Sequence, residues 1–261
     1  PVVGGAMGMI PQCGFSASAA SLYSGGIITV GTLIAIFFSL TTDNFMSQSN
    51  LLLILQQATI VGIAGCAMTL VLVTGNFDLC MGATITLSIL LSIDLHEQIG
   101  CLPAVLIAVA ACVIVGLING LLVGYLRIPS MIATLGTQTI LSGVMLIYSG
   151  GQLRWIADPS STWYQIFGRT KVFGIIPMQV IILIVGVIIF EYILQRTVLG
   201  TRIKATGGNP LALRYSGSDD RKIIVLVFVL AGFMGAIAGL VMGSRTMKWQ
   251  TEQAFGYEFD C

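Results

Sequence analysis

Apolar runs of roughly 20 residues alternate with short polar intervals along almost the whole chain, and that length is what an α-helix needs to cross a bilayer. The runs fall at 22–40, 51–73, 79–93, 102–126, 131–148, 173–194 and 223–243. They predict an all-α, polytopic membrane helix bundle of about seven spans. Residues 1–21 are small and uncharged, lack the basic start of a signal peptide, and have no role we can assign. Residues 22–261 read as one transmembrane domain. We expect that domain to be incomplete at its C-terminal end, because the chain stops at Cys261 soon after a polar stretch.

Gly75-Asn76-Phe77-Asp78 separates the second run from the third. A carboxylate at the centre of a membrane helix costs roughly 2.5–3.5 kcal/mol. Non-helical backbone at depth survives only inside protein or facing water. Asp78 therefore has two readings: it caps a helix start by accepting nearby N–H groups, or it is a gate or pathway residue.

The longest polar interval, 195–222, carries Arg196, Arg202, Lys204, Arg214, Arg221 and Lys222 against Asp219 and Asp220. The excess of Lys and Arg places it in the cytoplasm together with Arg127. The intervals 41–50 and 94–101 then fall outside and carry no Lys or Arg, and 244–261 falls outside too. The interval 149–171 is external despite Arg154, Arg169 and Lys171, with Trp155, Trp163 and Tyr164 as aromatics of the membrane interface. Inside 195–222 lies a compact helix signal. Asn209 is a good N-cap, Pro210 suits the first helical position, and Gly217 supplies a left-handed stop. This predicts a short helix between two spans, with Leu211, Leu213 and Tyr215 available to an apolar partner surface. Glu191, close by, is expected to pair with Arg196, and His96 to sit exposed in its external interval.

Composition agrees with a lipid solvent. Hydrophobic residues make up 56% of the chain, charged residues 9%, and the mean hydropathy is +0.96, whereas soluble domains carry roughly 25% charged residues. Membrane lipid is thus the expected surrounding, and a net charge of +1 points to no nucleic-acid partner. Cys66, Cys80 and Cys112 lie in or beside apolar runs with no CxxC spacing, so they read as small packing residues rather than as a metal site or disulfide framework. Gly116, Gly120 and Gly124 on one span, and Ala231, Gly235, Gly239 and Gly243 on another, recur every fourth residue and lay a smooth stripe for close helix packing. Polar side chains within or beside the spans are Gln56, Gln57, Asn76, Asn119, Thr134, Thr137 and Gln138. With Asp78 they are the candidates for a pathway that accepts hydroxyl-rich cargo. The alternative is interhelical hydrogen bonding, worth about 0.6 kcal/mol on average.

Three stretches carry a family likeness: 51–87, with LLLILQQATIVGIAGCAMTLVLVTGNFDLCMGATITL; 126–151, with LRIPSMIATLGTQTILSGVMLIYSGG; and 203–245, with IKATGGNPLALRYSGSDDRK followed by IIVLVFVLAGFMGAIAGLVMGSR. In order and spacing they resemble the transmembrane permease subunit of ribose-type monosaccharide ABC importers, part of a wider group that includes branched-chain amino acid and nucleoside permeases. The likeness covers most of 51–260. Asn76 stands where the family usually has glycine, Cys80 where it has serine, and Leu211-Ala212-Leu213 where acidic residues and alanines are common. The resemblance implies a coupling helix over Gly208, Asn209, Pro210, Leu211, Leu213, Arg214, Tyr215 and Gly217 that docks on a separate ABC ATPase. It also implies a second permease subunit, like or unlike, a periplasmic or lipoprotein solute-binding protein, a place in the bacterial inner membrane, and further helices beyond residue 261.

No GxxxxGK[ST] is present, so ATP is expected to bind a partner and this chain to hold no cofactor. Neither HExxH nor GxSxG occurs, and no catalytic or metal-ligating set is predicted. The expected function is import of a ribose- or pentose-like sugar. Within the family the alternative is a nucleoside or branched-chain amino acid permease. Outside it, an ion-coupled secondary transporter would call for ionisable residues at mid-membrane, and apart from Asp78 the spans are nearly free of them.

Overall fold

A computed structural model describes residues 47–156, 163–172, 176–251, 253, 254, 256 and 257. The segment 1–21 and the predicted span 22–40 lie outside the described residues. The chain divides into two compact units, Pro1–Gln57 with Asp260 and Ala58–Phe259 with Cys261. Of the first, the described part is the start of one helix; the helix bundle belongs to the second.

Ten helices are described: α1 Gln48–Val73, α2 Met81–Asp94, α3 His96–Ile99, α4 Cys101–Gly124, α5 Ser130–Ser149, α6 Gln165–Gly168, α7 Met178–Arg196, α8 Val198–Gly208, α9 Pro210–Tyr215 and α10 Asp220–Thr246. Four two-residue strands form two small antiparallel sheets. In one, β1 (Arg154–Trp155) pairs with β4 (Lys248–Trp249); in the other, β2 (Lys171–Val172) pairs with β3 (Ile176–Pro177). The fold is an all-α bundle, and α1, α4, α5, α7 and α10 are each long and apolar enough to cross a membrane.

Helix ends follow local chemistry. Helix α7 starts at Met178 rather than 173, because a residue before proline is pushed to an extended conformation and Ile176–Pro177 pairs as a strand instead. Helix α10 starts earlier than predicted because the Asp219 side chain accepts the Arg221 N–H at 3.1 Å and caps it. Helix α2 has 14 residues, about 21 Å of helix, short of the ~30 Å hydrocarbon core. The non-helical stretch 74–80 leads into it.

Helix α10 is the centre of the bundle, packed on both α4 and α2, which also meet each other where Cys112 Sγ donates to the Thr84 carbonyl at 3.4 Å, and its buried residues run from Asp220 to Ser244. Glycines let the backbones meet. A Cβ on Gly116 would strike the Phe228 carbonyl, and one on Gly232 the Cys112 carbonyl. At Gly120 a Cβ would stand 2.8 Å from Val225 Cα, and at Gly124 it would stand 2.9 Å from the Arg221 carbonyl oxygen. On the α2 side, a Cβ on Gly235 would come 3.1 Å from Met81 Sδ, and one on Gly239 2.6 Å from the Ile85 carbonyl oxygen. Gly243 faces the Tyr164 hydroxyl, 2.6 Å from its own ideal Cβ position. Gly232 lies opposite Gly116 but outside the four-residue register of Ala231, Gly235, Gly239 and Gly243, so the stripe pattern passes over it.

Candidate functional site

Two polar regions share one end of the bundle. The first is the connection from α7 to α10. Thr197 accepts the Gly200 N–H at 3.1 Å and starts α8, a helix the sequence pattern does not isolate from the surrounding loop. Its first half packs on the end of α7, where a Cβ on Gly200 would strike the Ile193 and Leu194 carbonyls. Asn209 separates α8 from α9. Gly217, at φ +81°, turns the chain back after α9, and its N–H donates to the Arg214 carbonyl at 2.9 Å. The predicted short helix is therefore present with its stop, preceded by a second helix.

Residues two apart on a helix face opposite ways, and α9 shows it. Leu213 is 4% exposed, seated in the protein's own core, whereas Leu211 is 64% and Tyr215 91% exposed one turn apart. Leu211 and Tyr215 are free for an outside surface; Leu213 is not. Gly208, Asn209 and Pro210 are exposed beside them. Arg214 turns back on its own chain. Its Nε donates to Asp220 Oδ1 at 2.8 Å and its Nη2 to Oδ2 at 2.7 Å, a two-pronged clamp between α9 and α10. The Asp220 carboxylate raises the guanidinium pKa further above its ordinary value. Glu191 accepts from Gln195 Nε2 at 3.0 Å, an in-helix pair in place of the expected partner Arg196.

The second region is the stretch 74–80. Gly75 takes φ +78°. Asn76 Nδ2 donates to the Thr74 hydroxyl at 3.0 Å. Two hydroxyls near the start of α5 hold the stretch: the Phe77 N–H donates to Ser130 Oγ at 3.0 Å and the Leu79 N–H to Thr134 Oγ1 at 3.1 Å. Asp78 is buried, and its Oδ1 accepts the Cys80 N–H at 2.9 Å as α2 begins. These bonds satisfy the non-helical backbone from within the protein, as any such stretch near lipid requires.

Among the pathway candidates, the structure brings together Asn76, Asp78 and Thr134. Thr137 and Gln138 lie one turn further along α5. Thr137 donates to the Ala133 carbonyl at 3.0 Å and Gln138 is buried. Asn119 lies apart on α4, fully buried, its Oδ1 without a hydrogen-bond partner among the described residues. Gln56 and Gln57 belong to the first unit, half-buried and exposed respectively.

The opposite end packs some of its aromatic side chains inward. Tyr164, expected at the interface, is instead fully buried, with its Oη 2.9 Å from Ser92 Oγ. Burial pushes its phenol above the usual tyrosine range. Trp155 and Trp163 are exposed. His96 is half-buried, its ring centroid 6.2 Å from that of Tyr164, and burial lowers its pKa while Glu97 works against the shift. Trp249, which no motif singles out, is fully buried and donates its indole N–H to the Thr86 carbonyl at 3.1 Å. Among the described residues no group of His, Cys, Asp and Glu could hold a metal ion.

Comparison with known proteins identifies relatives. A family model described as branched-chain amino acid transport system / permease component matches residues 50–261. The ribose import permease protein RbsC of Escherichia coli strain K12 is 32% identical over 236 residues, spanning 90% of this chain and 73% of that protein. RbsC of Bacillus subtilis strain 168 is 32% identical across 87% of this chain and 70% of its own length. The fructose import permease protein FrcC of Rhizobium meliloti is 32% identical across 84% and 62%. No solved structure matches the chain.

Proposed function

The chain belongs to the branched-chain amino acid transport system / permease component family, and from that membership we propose how it works. It is a multi-pass inner-membrane permease of an ATP-driven importer, and its cargo is a monosaccharide of the ribose or pentose kind. The ribose and fructose permeases it is similar to supply the cargo class, and the spans, nearly free of ionisable groups, fit an uncharged polyol. The family description favours one further reading, a branched-chain amino acid as cargo.

The observation that carries the mechanism is α9. A six-residue helix has little stability of its own in water. Here it is clamped to α10 through Arg214 and Asp220 and presents Leu211 and Tyr215 outward. We place this end in the cytoplasm. It gathers Arg127, Arg196, Arg202, Lys204, Arg214, Arg221 and Lys222, against Arg154, Arg169, Lys171, Arg245 and Lys248 at the other. A partner ATPase contacts Gly208–Pro210, Leu211 and Tyr215. Nucleotide binding there biases the bundle only if those contacts differ between two arrangements, and Arg214–Asp220 hands such a difference to the central helix. A second permease subunit completes the pathway, a solute-binding protein delivers cargo outside, and Asn76, Asp78 and Thr134 lie at its inner end. ATP is held by the partner, and this chain performs no hydrolysis.

Uptake into liposomes holding this permease with its ATPase and binding protein, run over ribose, fructose, a nucleoside and leucine, tests the proposal. ATP-dependent accumulation of a sugar alone is expected. Accumulation of leucine or of the nucleoside in its place moves the cargo to the other branch of the family. Accumulation driven by an ion gradient without ATP removes the importer reading.

A further inference from the structure

We infer that Gly207 is the joint through which movement of α8 and α9 reaches the stretch 74–80. The inference rests on the reading of α9 as the ATPase contact and adds a second route out of it, separate from the Arg214–Asp220 clamp.

Gly207 is the penultimate residue of α8. The hydrogen that a side chain would replace points at the Val73 carbonyl, and an ideal Cβ there would also stand 3.1 Å from Val73 C and 3.2 Å from Thr74 C. Backbone thus meets backbone, with no flexible side chain to absorb a displacement. Val73 is the last residue of α1, where carbonyls have no partner within the helix, so a Cα–H directed at that oxygen is a favourable if weak contact. Gly75, two residues on, approaches the same glycine; its own Cβ position lies 4.0 Å from Gly207 Cα. Gly208, by contrast, has nothing within 4 Å of where a Cβ would be.

The other end of α8 is fixed in the same way, by Gly200 against the Ile193 and Leu194 carbonyls. Residues seven apart share one face of a helix. Helix α8 is therefore a short strut with backbone contacts on one face, at α7 near its start and at α1 near its end, and α9 hangs from the α1 end. Beyond the joint, 74–80 is gripped by Ser130 and Thr134 of α5 and carries the buried Asp78 into the start of α2. Push α9, and the strut presses on the turn that sets where α2 begins. Gly207 is a positioning residue here; it touches neither cargo nor nucleotide.

The test uses the reconstituted transporter with its ATPase and binding protein, in wild-type form and as Gly207→Ala and, on α5 where a Cβ also meets nothing within 4 Å, Gly136→Ala. The methyl group meets Val73 in the first and empty space in the second. Both variants are expected to co-purify with the ATPase and to hydrolyse ATP. In Gly207→Ala, uptake of the wild type's best sugar per ATP hydrolysed should fall at least about tenfold, while Gly136→Ala stays within about twofold of wild type. Equal behaviour of the two variants overturns the inference. If Gly207→Ala fails to insert, a thiol-reactive fluorophore on the exposed Phe77→Cys decides, read against the labelled wild-type background. Its signal should change when the ATPase is loaded with a non-hydrolysable ATP analogue, and an unchanged signal overturns the inference. A Leu211→Cys variant that never crosslinks to the ATPase removes the underlying reading instead. Crosslinking with wild-type coupling in Gly207→Ala removes the joint alone.

Discussion

Helices α9 and α10 are joined by one short turn and are held in opposite ways. Along α10, glycines at 232, 235 and 239 press it onto α4 and α2, against main-chain carbonyls at 232 and 239. Helix α9 is held, among the described side chains, by the buried Leu213 and the Arg214–Asp220 ion pair, and leaves Tyr215 almost wholly in solvent. The first arrangement tolerates no displacement, since packed backbones cannot be compressed. If α9 meets the ATPase as proposed, it is the part that moves. The contrast separates frame from lever within some thirty residues, and it shows why the same residue type means different things along the chain. Glycine at 232 is a point of closest approach. At 217 it is a left-handed turn. At 136 and 143 on α5 it faces open space.

The largest effect should come from breaking the frame. Gly232→Leu and Gly239→Leu each drive a side chain into main-chain carbonyls that cannot yield. Overpacking of this kind costs typically about 1–3 kcal/mol and more where backbone must shift. We expect loss of folded, detergent-stable protein by size-exclusion chromatography, whereas Gly136→Leu should elute and melt like wild type. Equal stability of all three would erase the distinction between the two surfaces.

Next in size is the clamp. Arg214→Ala should leave the bundle folded and reduce ATP-driven uptake several-fold, and the exchanged pair Arg214→Asp with Asp220→Arg should recover part of it. A double exchange no better than either single change would mean the pair does not couple the helices. The smallest effect concerns the far end. Trp249→Phe keeps an aromatic ring and removes the donor to the Thr86 carbonyl, a loss of about 1 kcal/mol. It should lower the thermal midpoint slightly and leave ATPase docking untouched; a docking defect would contradict the separation of the two ends.

Much of this contrast is legible in the amino-acid order. Spans announce themselves because lipid demands long apolar runs, and five predicted spans correspond to membrane-length helices while 79–93 corresponds to the shorter α2. Helix α9 announces itself through Asn209, Pro210 and Gly217. Helix α8 does not, because Thr206, Gly207 and Gly208 read as loop and its stabilising contacts come from α7 and Val73, the latter far away in sequence. Composition groups Leu213 with Leu211 and Tyr215, although helical geometry turns it inward. Tyr164 looks like an interface aromatic beside Trp163; only the fold shows Ser92 waiting for its hydroxyl. Glu191 finds Gln195 one turn away and not the arginine one residue further. In each case a local signal is right about the type of element and blind to the surface it will meet.

On the proposed reading, energy enters this permease through the outward face of α9. Cysteine crosslinking in the assembled transporter tests it most directly, with single cysteines at Leu211, Leu213 and Tyr215 and a scan of cysteines on the ATPase. Efficient crosslinks that change with bound nucleotide are expected from 211 and 215, and none from the buried 213. Crosslinks from none of the three, or equally from all three whatever the nucleotide, would contradict that reading.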